Sequence, residues 1–250
     1  MMKIPENFNP IIDCLRNKII LVTGAGDGIG CVAAKTFAAH GATVILVGRT
    51  LQKLEKVYDE IEAAGHPKAA IYPIDFQVAN EKSFIDMCNA VSEEFDHLDG
   101  ILHNAADLGQ RTPVANYAPD VWMRLMQVNV NAPFLLTQAM MPLLERAKNA
   151  SIVFTGSSVG YKGRAYWGAY AASKAAAENL MQTLADEFEE TTRIRANSIN
   201  PGATRTSMRA QAYPGENPLN NPTPEEIMPV YLYLMGPDST GINGQAFNAQ

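Results

Sequence analysis

The sequence predicts an α/β fold: a doubly wound, Rossmann-type, mostly parallel sheet of seven strands with helices on both faces. Three observations carry that expectation. The strand candidates are nearly continuous apolar runs, as in KIILV and TVILV, and do not alternate. Runs of that kind are buried on both faces, which a parallel sheet covered by helices requires. Between them lie segments with helical period, and the first run opens straight into a glycine-rich turn.

Taken in order, the first run (18–23) leads through TGAGDGIG to a helical pattern with Ile29, Val32, Ala33 and Phe37 on one face. The second (43–47) precedes a helix carrying Leu51, Leu54, Val57 and Ile61 on one face. Further strands are expected at 69–75, 100–105, 151–155 and 195–200, with a weaker one at 244–247. No Pro/Gly/Ser linker, repeat or low-complexity tract divides the chain, so residues 1–250 read as one domain with an N-terminal extension at 1–17. Residues 207–223, rich in Pro, Asn and Gly, are too long for an ordinary connection and follow a strand end. Ligands of open α/β sheets bind at that end of the strands, so this segment reads as a mobile lid over a substrate.

Hydrophobic residues make up 47% of the chain and charged residues 18%, a balance that excludes disorder. The net charge of -6 is spread without a dense basic run, which argues against a nucleic-acid partner. The longest apolar stretch, 132–144, is broken by Thr137, Gln138 and Pro142 and is too short to span a membrane. Pro5, Glu6 and Asn7 stand where a signal peptide needs an apolar run. Cys14, Cys31 and Cys88 are scattered and odd in number, as suits a reduced compartment, and the expected location is the cytoplasm.

The turn at 23–30 (Thr23, Gly24, Gly26, Asp27, Gly28, Ile29, Gly30) follows a buried strand and opens a helix. There glycines let backbone amides approach a pyrophosphate, and the helix N-terminus adds partial positive charge. About twenty residues further on, an NAD site carries an acid for the ribose 2′-hydroxyl. Here the second strand ends in Gly48, Arg49 and Thr50, with no carboxylate. Arg49 is either a solvated charge or the partner of a 2′-phosphate, and the missing acid points to NADP(H) over NAD(H). Asp27 inside the loop runs against that preference, because a basic residue there would suit a phosphate better. Asp75, at the third strand's end, is read either as a solvated carboxylate or as an acceptor for an adenine amino group.

Tyr170 and Lys174 lie four apart in the alanine-rich segment AYAASKAAAENL and so share a helix face. Free tyrosine, with a pKa of about 10, is a poor base at neutral pH. A neighbouring ammonium would stabilise the phenolate and bring it toward the working range. Ser157 follows a buried strand thirteen residues before Tyr170, where a hydroxyl would bond a substrate carbonyl. Ser158 competes for that role, and sequence alone leaves the two open.

Together these residues resemble the short-chain dehydrogenase/reductase family, in its single-domain branch, over nearly the whole chain. TGAGDGIG resembles its TGxxxGxG, HNAA at 103–106 its NNAG, and Asn129 begins its NxxxxF. Ser157 falls on its serine, Tyr170 and Lys174 on its YxxxK, and NPGATRT at 200–206 on its PGxxxT. Within the family the likeness is to a bacterial group of oxidoreductases without an established substrate. The resemblance implies hydride transfer between a nicotinamide and a carbonyl or secondary alcohol. Tyr170 is then the general acid/base, Ser157 holds the carbonyl oxygen, and Lys174 binds the nicotinamide ribose. It implies further that Asn129 keeps a relay water, and that Asn104 and Ala105 line the ribose side. Thr206 and the backbone at Pro201 and Gly202 are implied for the carboxamide, and Arg49 for the 2′-phosphate. A homodimer or homotetramer through helices at 117–146 and 168–190 is implied as well.

The departures carry their own expectations. Ala106 adds a methyl beside the cofactor-facing backbone, and His103 is read as structural, since nothing in the pattern asks for a base there. The ending NGQAFNAQ lacks the acidic-glycine tail of many relatives, which puts the usual C-terminal interface in doubt. The substrate cleft is expected from 106–112, 159–168 and the lid, with Tyr161, Tyr166, Trp167, Arg111, Arg164, Arg205 and Arg209. Aromatics suit a flat or apolar small molecule and arginines an acidic one. An NADP(H)-binding redox sensor without turnover is the alternative, opposed by the four catalytic positions that are kept. A nucleotide-sugar epimerase or dehydratase is opposed by length and by glycine spacing.

Overall fold

A computed structural model describes all 250 residues. The apolar runs form β1 (Ile19–Thr23), β2 (Thr43–Gly48), β3 (Ala70–Pro73), β4 (Gly100–His103), β5 (Ser151–Thr155), β6 (Arg195–Asn200) and β7 (Ala246–Asn248). All pair in parallel, in the order β3-β2-β1-β4-β5-β6-β7. Helices α1 (Gly28–Ala39), α2 (Leu51–Ala63) and α3 (Glu81–Glu94) connect the first four strands. Then come α4 (Pro119–Met126), α5 (Ala132–Leu144), α6 (Ser158–Tyr161), α7 (Gly168–Phe188), α8 (Ser207–Ala212) and α9 (Met228–Met235). No helix is long and apolar enough to cross a membrane.

The sheet separates two cores, as its doubly apolar strands require. Ala33, Phe37, Leu54, Val57 and Ile61 from α1 and α2 join α9 on one face. Phe84 and Met87 of α3, Leu136 and Met140 of α5, and Met181 of α7 fill the other. Leu51, expected on the buried face of α2, is 40% exposed because it opens the first turn, beyond the reach of the sheet.

Four boundaries differ by more than one residue from the sequence expectation, each for a local reason. The fourth strand stops at His103 because the next two amides, Asn104 and Ala105, both donate to the Thr23 hydroxyl, at 2.9 and 3.0 Å. The third stops at Pro73, and Asp75 lies in a turn where its Oδ1 accepts from the Gln77 amide at 3.0 Å. The seventh begins at Ala246, since Gly244 turns the chain with φ +67°. The long helix expected at 117–146 is interrupted by a π turn at Gln127–Asn131. Segment 207–223, read from the sequence as a mobile lid, contains α8 and a 3₁₀ turn at Pro218–Asn220.

The N-terminal extension is tied down at both its ends. The Met2 amide donates to Ala246 O at 2.7 Å, and the Asn248 amide to Met2 O at 2.8 Å, prolonging the sheet past β7. Leu15 is fully buried in the first core. Under α9, the Arg195 guanidinium is almost wholly buried and donates to Leu234 O (3.0 Å), Gly236 O (2.9 Å), Ser239 Oγ (3.1 Å) and Asn149 Oδ1. Burial pushes its pKa down to about 10. No carboxylate faces it, so these oxygens alone hold the charge and tie β6 to the end of α9. Arg195→Ala is therefore expected to cost about 2–4 kcal/mol in urea unfolding, because it strands buried acceptors as well as removing packing. A loss under about 0.5 kcal/mol, typical of a surface change, would contradict that account.

Candidate active site

A parallel sheet delivers every strand's carboxyl end to one edge, and strand order reverses there between β1 and β4. A cleft of about 810 Å³ runs along that edge. Its walls include Gly24, Gly26, Asp27, Gly28 and Ile29 after β1, Arg49 after β2, and Asp75 after β3. Asn104 and Ala105 after β4, Ser157 after β5, and Pro201, Gly202 and Thr206 after β6 complete it, with Tyr170 and Lys174 from α7. Three of the predicted residues, Thr23, Gly30 and Asn129, stand behind the wall and do not line it.

The glycine loop is held open by those that stand behind. Thr23 is buried; its hydroxyl accepts the Asn104 and Ala105 amides and donates to Leu102 O at 3.2 Å, latching β1 to β4. Gly24 and Gly28 have φ of +69° and +53°. A Cβ on Gly30 would lie 2.3 Å from Gly24 O and 2.5 Å from Asn104 Nδ2, so only glycine lets α1 approach so closely. The loop therefore presents bare backbone and the N-terminus of a twelve-residue helix to the cleft, a cradle that fits a dinucleotide pyrophosphate.

Asp27 does not stand as an uncompensated acid in this cradle. Lys53 Nζ donates to its Oδ2 at 2.7 Å and holds its carboxyl below the usual range. Lys53 also lines the cleft, and sequence reasoning passed it over. Its signal was its position four residues beyond Arg49, where the first turn of α2 returns to the same side. Arg49 is exposed and makes no ion pair, which leaves its guanidinium available. Asp75 Oδ2 has no protein partner.

At the other end stands the hydroxyl-bearing group. Burial raises the Tyr170 phenol to about 12, and the nearby Ser157 hydroxyl draws it partly back. Ser157 is half-buried whereas Ser158 is exposed, which separates two residues that sequence left open. Lys174 is buried; its Nζ donates to Thr155 O at 2.7 Å and lies 5.6 Å from the Tyr170 ring centre. Burial lowers this ammonium to about 8. The expected lowering of the phenol by Lys174 is thus absent in the protein alone, because the amine is directed to a strand-end carbonyl and desolvation dominates. Asn129 sits in the π turn, donating through Nδ2 to Asp107 O (3.0 Å) and Ser173 Oγ (2.9 Å) and accepting the Asp107 amide (2.8 Å). π turns of this kind recur at functional sites because the extra residue re-aims the chain.

The expected arginines divide by partner. Arg209 is neutralised by Glu216, through two bonds of 2.6 Å. Arg205 is spent on Pro218 O and Asn221 O, bracing its own segment. Arg111 stacks on Trp167 and Tyr213 with its carbon 4.8 and 4.7 Å from the ring centres, and bonds Ala212 O. Arg164 donates to the Tyr213 hydroxyl at 3.2 Å. The carboxylate Asp107 is taken by Arg124 at 2.7 Å. At the chain's C-terminal segment, Gln250 Nε2 donates to Pro201 O at 2.7 Å and packs on Gly202.

Comparison with known proteins places the chain in one family. The short chain dehydrogenase family matches residues 18–217, and the chain belongs to it. It is 49% identical over 244 residues to the uncharacterized oxidoreductase YciK of Escherichia coli strain K12, covering 98% of this chain and 96% of that one. A short chain dehydrogenase structure from Pseudomonas syringae superposes with TM-score 0.96 at 58% identity, covering 98% and 99% of the two chains. Another, from Escherichia coli CFT073 in complex with NADPH, has TM-score 0.94 at 49% identity and covers 96% and 100%.

His103 faces away from this cleft. It is buried, stacked on Phe154 at 4.6 Å, with Nε2 bonded to Thr137 Oγ1 at 2.8 Å and Nδ1 unpartnered. Burial lowers its pKa to about 3 from 6.5. Above pH 6.5 the ring is neutral in both folded and unfolded chains and contributes no pH dependence. Below it the unfolded chain takes up a proton that the folded chain refuses. Stability should therefore fall by up to about 1.4 kcal/mol per pH unit between 6.5 and 3 from this residue. His103→Gln should flatten that part of the urea-midpoint profile; an unchanged acid slope would place the proton uptake elsewhere.

Proposed function

We propose that the protein is an NADP(H)-dependent oxidoreductase that interconverts a small carbonyl compound and a secondary alcohol, with Tyr170 as general acid/base. The observation that carries this reading is the convergence of Ser157, Tyr170 and Lys174 on the cleft that also holds the glycine cradle and Arg49. When bound, the reduced nicotinamide supplies a hydride, one hydrogen with two electrons, to the carbonyl carbon. The proton that completes the alcohol comes from Tyr170. A phenol raised to about 12 stays protonated at neutral pH, the state required to give a proton during reduction.

The remaining roles follow from position. Ser157 donates to the carbonyl oxygen as charge builds on it. Lys174 holds ribose hydroxyls and, with an ammonium near 8, is ready to return a proton to the phenolate. Both Asn129 amide donors are spent, so a relay water would rest on the residue's acceptors. The bare amides at Gly24, Gly26 and Gly28 take the pyrophosphate, flanked by Ile29. Asn104 and Ala105 line the ribose side, and Asp75 accepts from the adenine amine. Pro201, Gly202 and Thr206 seat the carboxamide, and 207–223 closes over the substrate. Arg49, with Lys53 nearby, pairs with the 2′-phosphate, and the NADPH complex of the Escherichia coli CFT073 relative supports that choice. Exposed Met123 and Phe134 on α4 and α5 offer the face on which a second copy would build a homodimer or homotetramer.

Titration of the purified protein with NADPH and NADH tests the cofactor half of the reading. NADPH is expected to bind more tightly, and Arg49→Ala to weaken NADPH by about ten- to a hundredfold while leaving NADH unchanged. Tyr170→Phe should keep NADPH affinity and lose about 10²–10⁴ in turnover of any carbonyl reduced by the wild type. Equal or tighter NADH binding would overturn the NADP(H) assignment.

A further inference from the structure

The surroundings of the cleft's substrate end, where Arg164 lines the wall and Arg111 lies against Trp167, carry more positive charge than the protein's own acids neutralise. Its carboxylates, Asp107 and Glu216, are each committed to another arginine, Arg124 and Arg209. Arg111 and Arg164 are left without a carboxylate, although the chain as a whole carries a net charge of -6. Both reach the same aromatic, Tyr213, just after α8: Arg111 over its ring, Arg164 on its hydroxyl.

A second observation lies between them. Trp167, three residues before Tyr170 on the cleft wall, is 7% exposed, and its buried indole Nε1 has no acceptor in the protein. Buried polar groups are nearly always paired, so an orphaned donor on a binding wall calls for an acceptor from outside the chain. Trp167 lies under the Arg111 guanidinium, 5.6 Å from the Tyr170 ring and 6.0 Å from that of Tyr213, measured between centres. Arg209, paired with Glu216, lies 3.9 Å over the Tyr213 ring. Tyr213 thus stands at a corner with one orphaned indole donor and two guanidiniums that lack a carboxylate, Arg111 bonded to Ala212 O and Arg164 to the Tyr213 hydroxyl. A planar anion that displaced Tyr213 would inherit all three.

We propose that this corner is an anion subsite, and that the substrate is an oxo acid or hydroxy acid. Its carboxylate lies against Arg111, Arg164 and Trp167, and its apolar body against Leu108, Val159 and Met208. Guanidiniums match the planar carboxylate through two parallel bonds, and the apolar wall beside Tyr170 suits a hydrocarbon or aryl portion. The inference rests on the oxidoreductase reading for the chemistry, but the subsite is a statement about binding and can be tested apart from turnover.

The test uses the full chain saturated with NADP⁺, titrated calorimetrically with benzoylformate and 3-benzoylpropionate beside their amides. At least one acid should bind about tenfold or more tightly than its amide. The double variant Arg111→Gln/Arg164→Gln should erase that preference while leaving amide binding as it was, and Trp167→Phe should weaken the acid severalfold. Equal binding of acid and amide, no binding of either acid at millimolar concentration, or a preference that survives the double variant would each sink the proposal. Unchanged NADP⁺ affinity and melting temperature in the variants show that the fold and cofactor site are intact. NADPH oxidation by benzaldehyde, with Tyr170→Phe as the inactive control, reads the chemistry separately. Reduction of neutral carbonyls without acid preference overturns the subsite alone, and acid binding without any turnover counts against the oxidoreductase reading alone.

Discussion

Because all seven strands run the same way, every loop that leaves a carboxyl end emerges on one edge, and the site is assembled there from residues far apart in sequence. That arrangement depends on β1 and β4 lying side by side where strand order reverses. The Thr23 hydroxyl sits at that junction, accepting two amides and donating to one carbonyl. It ends β4, fixes Asn104 and Ala105, and through Asn104 closes the space around Gly30. A residue with one hydroxyl thus sets both the shape of the cradle and the length of a strand, from behind the cleft wall.

Burial, more than pairing, shapes the chemistry at the other end. Desolvation raises the Tyr170 phenol and lowers the Lys174 ammonium, bringing both toward their uncharged forms. The two values move apart, to about 12 and about 8, so an ammonium at Lys174 would give its proton readily to a phenolate at Tyr170. The charged groups that remain are segregated. Arg49 and Lys53 lie at the β2 end, with Asp27 engaged by Lys53 and Asp75 without a basic partner. Arg111 and Arg164 lie beyond Tyr170, where Asp107 and Glu216 are taken by Arg124 and Arg209.

Much of this was legible in the sequence because it depends on short-range pattern. Doubly apolar runs such as IILVT can be satisfied only between two layers of helix, and the spacing of Tyr170 and Lys174 places them on one helix face. Thr23 and Gly30 were legible as members of the glycine motif but not as supports behind it, because their contacts lie about eighty residues away, on the loop after β4. The partnership of Lys53 with Asp27 was hidden for the same reason, and with it the fact that the acid in the glycine loop is offset. The π turn at Asn129 was invisible too, since one extra residue per turn leaves the helical period almost unchanged.

By itself the sequence determined the fold class, the single-domain organisation expected of it, the glycine turn and the order of the site motifs, because these follow from periodicity, spacing and backbone sterics. Only the tertiary structure decided which hydroxyl, that of Ser157 or Ser158, faces the phenol, where Lys174 directs its amine, and which arginines are neutralised. Those outcomes turn on desolvation and on pairings across the sheet, and a side chain's charge balance exists only once its distant neighbours are in place.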